Sequence, residues 1–124
     1  MSDLRRAAEH EAAHAICAHV LGVRVRAVEV RSNGSGRTYY SREAWGAPRQ
    51  MAPTTAAGDL WEREFSILPY IDEACSDLRD FERNHGLGAL WQAERTARQI
   101  LTRHRADVLR LADRLEREHF VRFT

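Results

Sequence analysis

The 124-residue sequence contains no lysine, so all 19 of its basic residues are arginines. The absence of lysine excludes Schiff-base catalysis and a lysine general base. Cys17 and Cys75 are too few and too far apart for a disulfide framework or a CxxC site, and we expect both to be buried, reduced thiols. No apolar run approaches the ~18 residues of a membrane span, and no signal-peptide pattern opens the sequence. These absences predict a cytoplasmic protein without a membrane segment.

Net charge excludes a further class of protein. The 19 arginines are nearly balanced by 18 acidic residues, which is not the balance of a strongly basic nucleic-acid-binding protein. The length predicts a single domain spanning residues 1–124, with a core large enough to fold without a metal ion. Any bound metal would therefore have a catalytic role and not a structural one.

The order of local patterns predicts a mainly helical α+β domain. An alanine-rich stretch, residues 4–21, predicts a helix that Ser2 or Asp3 caps and Gly22 ends. Alternating residues on either side of a Gly-containing cluster predict one β-hairpin over residues 23–42. Later patterns predict a loop, a helix broken at proline and a closing helical pair. Their ranges are 43–58 for the loop, 59–84 for the helix interrupted at Pro69, and 88–104 and 106–119 for the pair.

The first predicted helix contains His10-Glu11-Ala12-Ala13-His14, an HExxH arrangement. Two histidines four residues apart point within ~40° of each other, so both imidazoles can reach one ion. Imidazole suits Zn²⁺, and a catalytic zinc site takes three protein ligands and leaves a position for water. Glu11 is placed to take a proton from that water as it attacks a carbonyl. The motif predicts metal-assisted hydrolysis.

A third metal ligand must come from elsewhere, because no histidine stands six residues after His14. The middle of the chain is acidic, and its charge either complements the basic flanks or gathers near a cation. The candidates there are Asp72, Glu73, Asp77, Asp80 and Glu82. A helical projection of residues 71–84 places Asp77 at the edge of the apolar face and Glu82 within it near the end of the helix, and it directs the other three further into solvent. The other histidines, namely His19, His85, His104 and His119, have no partner at metal-site spacing and are expected to be ordinary packing or surface residues.

The stretch AEHEAAHAICAHVLGVRVRAVEV resembles the start of the peptidase domain of FtsH-type zinc metalloproteases, a zincin-like fold. Residues 74–79 and the closing helical stretch are similar to later parts of that domain. The resemblance implies that Asp77 is the third ligand beside His10 and His14, and that Glu11 is the catalytic base. In the register of thermolysin-type peptidases, Glu73 would bind the metal instead; we prefer Asp77.

The resemblance implies a zinc-dependent metallopeptidase, an endopeptidase, that hydrolyses short or unfolded polypeptides. No phosphate-binding loop is present, so cleavage would be independent of ATP, and a partner protein or a homo-oligomer could deliver substrate. We expect no nucleic-acid partner. The alternative is a binding or regulatory module that keeps the fold, and perhaps the metal, without turnover. It arises because the segment around Pro69 lacks the glycines that the family carries before the ligand aspartate.

Overall fold

The computed structural model describes residues 3–68 and 76–123, without the side chains of residues 76–78 and 87. Within these ranges the protein is mainly helical with a small antiparallel sheet, in agreement with the predicted α+β class. The helices and strands follow one another as α1 (Asp3–Val20), β1 (Val25–Val30), β2 (Gly36–Tyr40), α2 (Pro48–Glu64), α3 (Ser76–His85), α4 (Leu90–Arg103), α5 (Arg105–Glu118) and β3 (Phe120–Arg122). Short 3-10 turns at Arg42–Gly46 and Leu87–Ala89 precede α2 and α4.

Helix α1 ends just before Gly22, as its sequence predicts. Gly22 adopts φ +80°, a left-handed conformation that glycine reaches without a steric penalty. The Gly22 amide donates to the carbonyl of His19 at 3.1 Å, and the Val23 amide donates to that of Ala18 at 2.8 Å. These two bonds satisfy the last carbonyls of the helix in a Schellman motif. The turn directs the chain into β1, beside the helix it has just left.

The predicted hairpin is present, and a third strand that the sequence analysis missed extends it. The sheet has the order β2-β1-β3, and both pairings are antiparallel. Val28 lies opposite Thr38 in β2 and opposite Val121 in β3. Because β1 is the central strand, β2 is an edge strand in the part of the sheet that the structure describes. The side chains of Val28 and Val121 are buried under α1 and α5.

The predicted loop over residues 43–58 is wrong. Most of that stretch belongs to α2, which starts at Pro48. Proline is well tolerated at this first helical position, because the backbone N–H that it lacks would have no partner within the helix. Pro53 lies inside the helix and removes one backbone hydrogen bond. Burial compensates, because α2 packs against α1, α3 and α4 and is buried on nearly all sides between Met51 and Trp61. Asp59, which we predicted to start a helix, lies within α2 and is ion-paired with Arg63.

One continuous core lies between α1, α2, the closing pair α4 and α5, and the sheet. Its largest members include Trp61, Leu60, Leu101, Leu115 and Val28, each with essentially no exposed surface. The predicted closing pair is confirmed. Pro69, Glu73 and Cys75 lie outside the described residues. No helix in residues 3–68 or 76–123 has the length and apolar character that crossing a membrane requires.

Candidate metal centre

Helix α1 presents His10, Glu11 and His14 to a cleft of about 530 Å³. The opposite wall of the cleft is strand β2, and Asp80 and Asn84 of α3 close one end. The predicted motif therefore lies at a cavity rather than in the interior. His14 and Glu11 are nonetheless each only 8% exposed, so the protein shields most of their surface from water.

Both histidines are oriented by α2, the helix that the sequence analysis took for a loop. The Nδ1 of His14 lies 2.7 Å from the backbone carbonyl oxygen of Thr54, which only accepts hydrogen bonds, so this nitrogen is the donor. The Nδ1 of His10 lies 2.7 Å from Oε2 of Glu62 and donates to that carboxylate. Metal-binding histidines are commonly held in this way, by a carboxylate or carbonyl on the nitrogen that does not bind the metal. Sequence reasoning missed Thr54 and Glu62.

The two Nε2 atoms converge on one point. They lie 3.3 Å apart, with the rings at 77° to each other. Two nitrogens bound at ~2.0–2.1 Å to one tetrahedral Zn²⁺ are separated by roughly 3.3–3.4 Å. With both Nδ1 atoms acting as donors, the two Nε2 atoms face the same space, an arrangement that a cation bound between them would stabilise. The donor set and its spacing fit Zn²⁺.

Strand β2 fixes the side chain of Glu11. The hydroxyl of Thr38 donates to Oε1 of Glu11 at 2.8 Å. A Cβ at position 36 would lie 2.9 Å from Cγ of Glu11 and 2.9 Å from the carbonyl oxygen of Glu29. Only glycine therefore allows β2 to approach α1 this closely. The result is a carboxylate held beside the two imidazoles and open to the cleft.

The third predicted ligand, Asp77, has a side chain outside the part of the chain that the structure describes. Position 77 is in α3, but its side chain lies outside the described atoms, and all of Glu73 lies outside the described residues. Among the side chains that are described, no group of three His, Cys, Asp or Glu residues could hold a metal ion. The structure brings together His10, His14 and Glu11 and does not test Asp77.

Cys17, one turn after His14, is not a candidate nucleophile or ligand. Burial raises the pKa of its thiol to about 12, and this effect outweighs the hydrogen bond with Thr54 that acts in the opposite direction. The prediction of a buried, free thiol is confirmed for this residue. Because the thiolate is the reactive form, Cys17 is chemically inert in the folded protein.

Replacing Glu62 tests its role as the residue that positions His10. Glu62→Gln keeps the shape of the side chain but weakens the acceptor for His10 Nδ1. We expect zinc to bind about 10–100-fold more weakly, as is typical for residues that orient a metal ligand. Competition with a fluorescent chelator measures this affinity, and Glu64→Gln, a change on the same helix outside the cleft, is the matched control. Equal affinities in both variants would contradict the role assigned to Glu62.

Comparison with known proteins identifies similarity to a peptidase family over part of the chain. The family described as Peptidase M50B-like matches residues 6–60, a range that covers most of α1, the hairpin and most of α2. M50-type peptidases are metallopeptidases, so the match makes a bound metal plausible. No curated protein and no solved structure matches the chain. Residues 6–60 are therefore similar to a metallopeptidase family, which suggests a protease-related function without singling out the FtsH type.

Proposed function

We propose that the protein is a zinc-dependent metallopeptidase in which His10, His14 and Asp77 hold the metal and Glu11 is the general base. The observation that carries the proposal is the 3.3 Å separation of the two Nε2 atoms. Each imidazole is already oriented through its Nδ1 by an acceptor on α2. A fortuitous HExxH sequence on a surface helix has no reason to acquire both acceptors.

Asp77 is supported by its position in α3. Asp80 and Asn84 line the end of the cleft that contains His10 and His14. Position 77 precedes them by three and seven residues in the same helix, and this spacing places the three positions on one helical face. A carboxylate from this face completes a His₂-carboxylate set, which is a common catalytic zinc site. Glu73 remains the alternative third ligand.

When bound, Zn²⁺ acidifies a water molecule and polarises the substrate carbonyl. Glu11 accepts the proton that water loses during attack and returns it to the leaving amine, so that the carboxylate is regenerated. The Thr38 hydroxyl holds Oε1, which leaves Oε2 as the oxygen that exchanges this proton. The shielded position of Glu11 strengthens its electrostatic interactions with the reacting groups.

Strand β2 supports a polypeptide substrate. Its free edge runs along the cleft from Gly36 to Tyr40, and no strand of the described sheet pairs with that edge. An extended peptide can add to such an edge through backbone hydrogen bonds, which are independent of its sequence. Only unfolded or flexible segments can adopt this conformation. The proposed substrates are therefore short peptides or unfolded chains, cleaved internally.

Metal analysis and turnover together test the proposal. We expect purified protein to bind about one zinc ion, with the ion lost in His14→Ala and bound much more weakly in Asp77→Asn. Asp80→Asn, on the same face of α3, is the matched control and should keep the metal. Cleavage of a library of unstructured peptides should require the metal and return when zinc is added back. Zinc without cleavage of any peptide would favour the inactive binding module, and absence of zinc would refute the zinc peptidase and leave only a metal-free module.

A further inference from the structure

A second groove, of about 690 Å³, lies across the end of the sheet and adjoins the cleft. Tyr39 and Tyr40 line both cavities, so the two adjoin at the end of β2. Tyr39 and Phe120 are large exposed hydrophobic residues on the wall of this groove. A chain that leaves the cleft past Tyr40 enters this groove directly.

The groove is positively charged. Its charged side chains are Arg24, Arg26, Arg42, Arg122 and Glu43. All four arginines are exposed, and within the described part of the chain none of them forms a side-chain hydrogen bond or an ion pair. Hydrogen bonds that the Glu43 carboxylate accepts from its own backbone amide and from Ser41, followed by attraction to Arg24, hold the pKa of Glu43 below its usual value, so Glu43 stays ionised. Four guanidinium groups against one carboxylate leave the groove with a clear positive excess.

Several arginines elsewhere on the surface are instead paired with carboxylates. Arg5 is ion-paired with Glu9 and Asp113, and Arg63 is paired with Asp59 and Glu94. The groove beside the candidate active site thus groups four arginines that have no carboxylate at ion-pair distance among the described residues. Four guanidinium groups that face a single carboxylate of the chain, Glu43, keep a positive excess that is suited to carboxylates supplied from outside.

We propose that this groove selects peptide substrates with acidic residues on one side of the scissile bond. The inference deepens the proposed peptidase function and rests on it. Thr38 contacts Glu11, and Tyr40 and Arg42 lie two and four residues further along the chain. A peptide paired with β2 advances ~3.3 Å per residue, as the strand does. Acidic side chains about two to four residues from the scissile bond therefore reach the arginines.

A polypeptide fits these features better than a nucleic acid does. Continuity with the edge of β2 favours a chain whose backbone carries amide donors and carbonyl acceptors, which nucleic acids lack. The groove is also only as long as the end of a three-stranded sheet, which is short for tracking a phosphate backbone. Single-stranded DNA and RNA are therefore the comparison ligands in the test.

The experiment measures binding with turnover removed. Full-length Glu11→Gln protein loaded with zinc is titrated into fluorescein-labelled peptides of equal length that carry glutamate, glutamine or arginine blocks, and fluorescence anisotropy is recorded. We expect the glutamate peptide to bind most tightly and to weaken as salt is added. The double change Arg26→Glu and Arg122→Glu should weaken its binding roughly tenfold and improve binding of the arginine peptide. Arg103→Glu with Arg117→Glu, the same charge change at exposed positions outside the groove, is the matched control.

Several results would overturn the inference. They are equal affinity for the three peptides, an equal loss of affinity in the control double variant, and tighter binding of a single-stranded oligonucleotide than of the glutamate peptide. Mass spectrometry of wild-type cleavage products separates this inference from the proposed function. Cleavage sites without acidic residues on one side refute the acidic preference alone. Absence of any cleavage, with acidic peptides still bound, refutes the peptidase function and leaves the groove as an acidic-peptide site.

Discussion

Glu11→Gln is expected to lower kcat for peptide cleavage by about 10²–10⁴-fold, the contribution typical of a general base. The amide keeps the length of the side chain and can still accept the hydrogen bond that Thr38 donates at 2.8 Å. It cannot take a proton from water at neutral pH. The variant should therefore fold normally, bind zinc as tightly as wild type and retain its KM, while losing turnover.

The controls for Glu11→Gln separate a catalytic role from a structural one. Glu118→Gln removes one exposed carboxylate from α5, outside the residues that line the cleft, and should leave kcat unchanged. Zinc content and thermal unfolding of both variants show whether the site and the fold are intact. If Glu11→Gln cleaved peptides at the wild-type rate while holding zinc, another group would have to be the base.

Trp61→Ala is expected to destabilise the fold by about 3–5 kcal/mol, the usual cost of truncating a large buried aromatic side chain. The Trp61 side chain has no exposed surface and stacks on Phe65 with ring centroids 5.4 Å apart. Its Nε1–H also donates to Oε1 of Glu9 at 2.8 Å, and Glu9 is only 4% exposed. Truncation therefore opens a cavity and leaves a buried carboxylate oxygen without this donor.

Urea unfolding followed by far-UV circular dichroism measures this loss without relying on tryptophan fluorescence. Trp61→Phe is the informative companion, because it keeps most of the apolar volume and removes only the hydrogen bond to Glu9. We expect it to lose less stability than Trp61→Ala, about 1–3 kcal/mol. Since Trp61 precedes Glu62, which orients His10, zinc affinity should fall with stability in the alanine variant. A loss below about 1 kcal/mol would show that Trp61 does not anchor α2 to α1.

The elements that could be predicted are those whose signals are local. An alanine-rich stretch ending at Gly22 specifies α1, and alternating residues around a glycine cluster specify the hairpin. The closing helices carry apolar stripes at helical spacing, and their buried residues lie on those stripes. In each case the residues that form the pattern are close together in the sequence, so no knowledge of distant partners is needed.

The errors arise where distant contacts decide the structure. Helix α2 contains Pro53, Gly58 and adjacent threonines, all poor helix formers, and its stability comes from packing against α1. Strand β3 exists because β1, far away in the sequence, has a free edge beside the end of α5. The alternation of Phe120, Val121 and Arg122 was a signal for it, although a short one.

In the candidate site, too, the residues close together in the sequence were predicted and the distant ones were not. The histidines and Glu11 are recognisable because one helix carries all three at fixed spacing. Glu62 is 52 residues from His10, and nothing in its neighbourhood distinguishes it from other acidic residues of that segment. The contact of Gly36 with Glu11 likewise depends on how closely β2 approaches α1. The spacing of residues within the motif does not show which distant side chains support it.

The pairing of β3 with β1 means that the region similar to peptidases cannot be excised as a working unit. Residues 6–60 contribute Ala8, Cys17 and Val28 to a core whose remaining side is built from Leu101, Leu115 and Val121. A fragment ending after α2 would leave the inner faces of α1 and the hairpin in water, with the sheet reduced to two strands. The histidines therefore have a rigid support only when residues 6–60 pack together with the segment from α4 to β3.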